Sequence, residues 1–102
     1  MSDFNVENIS EVLAESPFMA LVIVDKDGYI TYMNQTFLDL LGISRSQAVG
    51  KYVLEVLPHS ELPEVLKTGR IDKADIWPIK GKDTVVTRFP IVKNGEIAGA
   101  VG

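Results

Sequence analysis

The side chains able to do chemistry are few and scattered along the chain. His59 is the single histidine and stands between Pro58 and Ser60. It reads either as a solvent-facing group ahead of a helix cap or as a hydrogen-bond partner for a ligand carboxylate. Arg88 is a cation within a run of strand-forming residues. It suits a cross-strand ion pair, an anionic ligand or an interface carboxylate. Trp77, beside Pro78, offers a flat apolar surface for packing, for a dimer contact or for stacking on a planar cofactor. Asn34 reads as a helix cap, with ligand contact as a second role.

The same inventory speaks against catalysis. Asp25, Asp27, Asp39, Asp72, Asp75 and Asp83 fall on turns and on different faces, unpaired for acid–base work. Ser60 beside His59 is not a nucleophile–base pair, because chain neighbours point apart and no elbow motif surrounds them. One histidine without cysteine cannot build a typical transition-metal site. Gly95, Gly99 and Gly102 do not match the dinucleotide fingerprint and precede no helix. The residues therefore predict a binding module and not an enzyme.

Composition narrows the class further. A chain of 102 residues, 46% hydrophobic, supports one domain around one core. The absence of cysteine excludes disulfides, thiol nucleophiles and thiol-adduct flavin photochemistry. The formal charge is −4 and the basic residues are dispersed, so there is no footprint for nucleic acid. The longest apolar run, Phe18 to Val24, is too short to span a bilayer, and Met1 to Asn5 lacks the basic region of a signal peptide. A cytoplasmic location is the default expectation.

The elements follow from periodicity and punctuation. Val6, Ile9, Val12 and Leu13 share one side of a helical period. They predict a short amphipathic helix within residues 1–16, stopped by Pro17, that covers a sheet face or forms a dimer contact. Ala20 to Val24 and Tyr29 to Met33 read as strands around Asp25-Lys-Asp-Gly28, with Gly28 free to take positive φ. Asn34 caps a helix ending at Gly42; Ser44 and Gln47 form a capping box for the next. Short helices follow within Lys51–Leu57 and Ser60–Gly69, with Pro63 tolerable only in a first turn.

Ala74 to Ile79 and Thr84 to Val92 then read as strands, the second interrupted at Pro90. Asn94-Gly95 predicts a type I′ hairpin into a last strand from Ile97 to Val101. That strand is expected to continue beyond Gly102, in a longer protein. Grouped strands and grouped helices predict an α+β fold with an antiparallel sheet. In the penultimate strand Val85, Thr87, Phe89 and Ile91 form the more apolar parity. Arg88 is therefore expected to point away from the helix-covered side, although the pattern alone leaves the choice of face open.

From about Ser16 to Gly102 the chain resembles a PAS domain. The matching pieces are Asp25-Lys-Asp-Gly-Tyr-Ile-Thr-Tyr-Met-Asn34, Phe37 to Leu41 with Gly42, Val49-Gly-Lys51, Glu55-Val-Leu-Pro58, Arg88-Phe-Pro-Ile91 and Asn94 to Gly102. The resemblance implies a PAS fold over residues 17–102, with a five-stranded antiparallel sheet and short helices on one face. It also implies a sensory or relay role, a small-molecule pocket between sheet and helices, and homodimers. The polar pocket groups would be Asn34, His59, Thr87 and Arg88. The apolar lining would come from Phe37, Leu41, Val53, Leu62, Leu66, Trp77 and Phe89.

Leu62-Pro-Glu-Val-Leu-Lys-Thr-Gly69, with Arg88 to Ile91, is most similar to the N-terminal sensory PAS of bacterial sigma-54-dependent transcriptional regulators. That likeness implies control of downstream domains of the same polypeptide. A cofactor-free dimerisation module is the alternative reading. A haem or flavin sensor of a histidine kinase is another, with His59 as haem ligand, but His59 lies before its helix and not within it.

Overall fold

The structure is a computed structural model and describes residues 12–79 and 82–102. Strands β1 (Val22–Asp25) and β2 (Ile30–Met33) pair antiparallel. Asp25 makes the turn between them, its Oδ1 accepting from the backbone N–H of Asp27 at 2.9 Å and of Tyr29 at 3.0 Å. Gly28 takes φ 91°, and a Cβ there would lie 2.7 Å from the Tyr52 ring. Both backbone freedom and lack of bulk are used at that position.

Helix α1 (Gln35–Leu41) follows without a loop and closes at Gly42. Helix α2 (Arg45–Ala48) opens on the expected capping box of Ser44 and Gln47, with the Ser44 N–H donating to Gln47 Oε1 at 2.8 Å. Helices α3 (Val53–Val56) and α4 (Leu62–Thr68) complete the group, with Pro63 in the first turn of α4 and Gly69 at its end.

Strands β3 (Asp72–Ile79), β4 (Lys82–Lys93) and β5 (Glu96–Val101) finish the chain. Sheet order is β2-β1-β5-β4-β3 with every pairing antiparallel. This is the expected α+β, five-stranded PAS-type architecture with short helices. Lys93 pairs Glu96 across Asn94 (φ 53°) and Gly95 (φ 79°), the two positive dihedrals of a type I′ turn. The sequence also predicts a turn at Gly81-Lys-Asp83; Gly81 lies outside the described residues, and Lys82 and Asp83 instead belong to β4, paired with Ile79 and Pro78.

The core lies between the sheet and the helices. Val22, Val24, Ile30, Met33 and Ala100 from the sheet meet Phe37, Leu38, Ala48, Val53, Leu62 and Val65 from the helices. Gly99 is forced by close packing, since a Cβ there would lie 2.4 Å from the Val24 carbonyl oxygen.

Two expectations need correction. Pro90 does not interrupt β4, which runs unbroken through it. Val22 and Gly102 exchange both backbone bonds, so Ala100, two residues back, also turns its polar groups to β1. Pro90 faces Ala100 in the register, and so its ring nitrogen points away from β5. On that side β3 has already ended at the Asp72–Arg88 pair, and no partner misses the N–H.

The face reading of β4 is reversed. Arg88 is 4% exposed on the helix side, whereas Val85, Thr87 and Phe89 are exposed on the outer face. The pattern reported which face is more apolar, not which face the helices cover. The buried charge is answered from β3, where Asp72 stands opposite Arg88. The outer face carries a row in cross-strand register, Phe89–Val101–Ile23–Tyr32. Ile76 and Val85 pair beside it.

Residues 12–14 are helical, and Val12 (62%) and Leu13 (69%) are exposed. Val6 and Ile9 lie outside the described residues. Among the described residues, no helix is long and apolar enough to cross a membrane.

Candidate functional site

Two polar clusters flank the core. The first is built on Asn34, where β2 runs directly into α1. Its side chain is fully buried and spends its whole hydrogen-bonding capacity. Oδ1 accepts from Phe37 N–H at 3.0 Å, the helix cap, and from Leu21 N–H at 2.9 Å. Nδ2 donates to the carbonyls of Ala14 at 2.8 Å and Met19 at 2.7 Å. Two donors and two acceptors around the amide fix its orientation. Aspartate lacks the donors, and serine or threonine cannot reach all four partners.

Neighbouring residues reinforce this tie. Glu15 Oε1 accepts from Gln35 N–H at 2.9 Å, while Oε2 accepts a short bond from the Tyr32 hydroxyl. Thr36 Oγ1 donates to the Ser16 carbonyl at 2.7 Å. The Tyr32 hydroxyl and then the Gln35 N–H hold the Glu15 carboxyl below the usual carboxylate range. Arg45 lies 4.0 Å from Glu15, an exposed pair that adds little. Residues 14–19 are thereby clasped to the β2–α1 junction by side chains from both partners.

The second cluster is a file of alternating charges, Glu61–Arg70–Asp72–Arg88. Glu61 stands at the N-terminal edge of α4 and pairs with Arg70 through a short contact. Arg70 Nε lies 3.0 Å from Asp72 Oδ1, and Arg88 Nη1 lies 2.8 Å from Asp72 Oδ2. Burial pushes the Asp72 carboxyl up, but the hydrogen bonds from Arg70 and Arg88 outweigh it and hold the group below its usual range.

The nominated pocket residues divide. Phe37, Val53 and Leu62 share the core, and Leu41 and Leu66 pack against it. Arg88 reaches the same side of the sheet from β4. Thr87 and Phe89 belong to the outer face, so they do not join the others; the alternation of β4 separates them from Arg88. His59 is exposed in the turn between α3 and α4. Trp77 lies on β3, opposite Thr84. An open groove between α2 and α3, lined by Ser46, Gln47, Lys51, Glu55 and Val56, contains none of the nominated residues. Among the described residues, no three His, Asp or Glu side chains gather as a metal ion requires.

The sequence reading missed Glu15, Tyr32, Glu61, Arg70 and Asp72. A turn at Gly81-Lys-Asp83 would set Arg88 opposite Ile76, whereas Ile79 pairs Lys82 and the register brings Arg88 to Asp72.

Comparison with known proteins gives consistent results. Residues 11–76 match the family model described as PAS fold. The chain is 31% identical over 93 residues to the sensor protein CitS of Halalkalibacterium halodurans, covering 89% of this chain and 17% of that protein. It is 33% identical over 81 residues to a probable C4-dicarboxylate sensor kinase of the same organism, covering 79% of this chain and 15% of that protein. The chain thus spans about a sixth of the length of these curated relatives. Its fold is similar to the crystal structure of the PAS domain of an HTR-like protein from Haloarcula marismortui, with TM-score 0.64 and 19% identity over 93% of this chain and 87% of that one.

Proposed function

The chain belongs to the PAS family, and on that footing we propose that it is a non-catalytic relay module that passes movement of its N-terminal segment to the β2–α1 junction. The observation that carries this reading is the clasp. Residues 14–19 are joined to Tyr32, Asn34, Gln35 and Thr36 through both backbone and side-chain atoms. A shift of that segment must either pull on α1 or break these bonds. Two discrete states are what a relay needs.

The module works in the cytoplasm and controls an output domain on the same polypeptide. The curated relatives are a sensor protein and a probable sensor kinase, which favours a kinase core as that output over the transcriptional regulators suggested by Leu62–Gly69. A second reading, homodimerisation, is supported by the outer-face row Phe89–Val101–Ile23–Tyr32, in which Phe89 is exposed and the other three are half-buried, together with exposed Val12 and Leu13.

The test is a graft. This chain replaces the matched segment of the probable C4-dicarboxylate sensor kinase, and autophosphorylation is measured with Asn34 intact and as Asn34→Asp. The expected result is kinase activity that the substitution changes severalfold. Activity indifferent to the substitution sinks the relay.

A further inference from the structure

We propose that Arg88 forms a carboxylate-binding site whose resting occupant is Asp72, and that a small organic carboxylate takes the place of Asp72 there. The proposal goes beyond the relay reading and adds a ligand class that the domain takes.

The first argument is burial. Arg88 is 4% exposed on the helix-covered side of the sheet, and Asp72 is 18% exposed. A buried guanidinium is costly without a carboxylate against it, and an apolar pair of similar volume would often serve stability as well. A buried Arg–Asp pair is therefore better explained by specificity or switching than by stability.

The second argument is asymmetry of attachment. Arg88 sits well inside β4, next to the stretch Phe89 to Lys93 that β5 pairs on the other side. Asp72 is the first residue of edge strand β3, and the register breaks between Asp72 and Asp75. The cation is held by the sheet, and the anion hangs on a strand end that can peel away without disturbing the regular ladder from Asp75 onward.

The third argument is the shape of the seat. One carboxylate bridges two guanidiniums, with Oδ1 on Arg70 and Oδ2 on Arg88. Any free carboxylate of modest size reproduces that bridge. Arg70 and Glu61 are only partly buried and mark the approach from solvent. Exchange also has a consequence. Arg70 links Asp72 on β3 to Glu61 at the start of α4. Release of Asp72 loosens that link, so occupancy is read by α4. Because the ligand competes with a tethered carboxylate at high effective concentration, its apparent affinity is weak.

The test uses the intact chain and chemical rescue. Asp72→Ala empties the seat, and thermal unfolding is followed with sodium formate, acetate or phosphate against sodium chloride at equal ionic strength. Formate and acetate are expected to raise the midpoint saturably, by about 7 °C at roughly tenfold above the dissociation constant. Chloride and phosphate should not do so, and Asp72→Ala/Arg88→Leu should respond to none. In the unsubstituted chain, succinate should shift the side-chain Nε–Hε signals of Arg70 and Arg88 saturably. Equal response to chloride and carboxylates overturns the proposal, as does a response only to phosphate. If Asp72→Ala does not fold, the arginine signals decide alone, and their indifference to succinate overturns it. None of these results touches the relay, which stands or falls with Asn34.

Discussion

Substituting Asn34 separates two jobs that its amide performs at once. Asn34→Ala removes the cap on Phe37 N–H, at a cost of about 1 kcal/mol. It also strands the Leu21 N–H and the carbonyls of Ala14 and Met19, each at roughly 1–3 kcal/mol where water cannot replace the amide. Partial relaxation of residues 14–19 toward solvent relieves some of that. The net loss is then about 3–5 kcal/mol, a large share of the roughly 5–15 kcal/mol that holds such a domain folded.

Asn34→Asp is the more discriminating change. Its carboxylate keeps both accepted bonds, yet sets an oxygen against the two carbonyls that now lie 2.8 and 2.7 Å from Nδ2. The cap survives while residues 14–19 are repelled, at about 2–4 kcal/mol. Urea unfolding measures the loss, and with a slope of about 1.5–2 kcal/mol per molar the midpoint falls by roughly 1–2.7 M. Backbone NMR relaxation then locates it. In Asn34→Asp, residues 14–19 become mobile while α1 stays ordered. A variant within about 0.5 kcal/mol of the parent, or one that keeps residues 14–19 rigid, refutes the reasoning.

Three further outcomes are expected. Gly99→Ala places a methyl 2.4 Å from the Val24 carbonyl oxygen and forces β1 and β5 apart, so urea unfolding should show a loss of about 2 kcal/mol or more. Glu15 contributes fully above the ordinary carboxylate range, because its folded carboxyl is held lower; that contribution drains away as pH falls through the depressed value. Glu15→Gln should accordingly flatten the stability–pH curve below about pH 4.5, and an unchanged acid limb counts against the Tyr32 and Gln35 bonds. Phe89→Asp, on the exposed face, should shift sedimentation toward monomer while changing monomer stability by no more than about 0.5 kcal/mol. A monomeric parent chain removes the dimer reading.

The fold was legible wherever one residue type has one local use. Asn-Gly before the last strand, Gly42 after an apolar helix, Ser44 with Gln47, and Pro63 in a first turn each pointed to a single local geometry, and each occurs. The face of β4 was not legible, because an apolar outer surface and an apolar inner surface alternate in the same way. Arg88 reads as exposed until Asp72 is known to sit across from it, and the break between Asp72 and Asp75 moves that partner by one residue. Asn34 was read correctly as a cap, but a cap needs only one of its four side-chain bonds. The other three go to residues 14–21, and no local pattern announces contacts at that separation.

The most direct measurement of the relay is native-state hydrogen exchange on the intact chain. Leu21 N–H and Phe37 N–H both donate to Asn34 Oδ1, and Gln35 N–H donates to Glu15. If the N-terminal segment and the β2–α1 junction move as one unit, these amides exchange with a common opening free energy that lies below global unfolding. Exchange of Gln35 at the rate of a frayed helix end, independent of Leu21 and Phe37, contradicts the account.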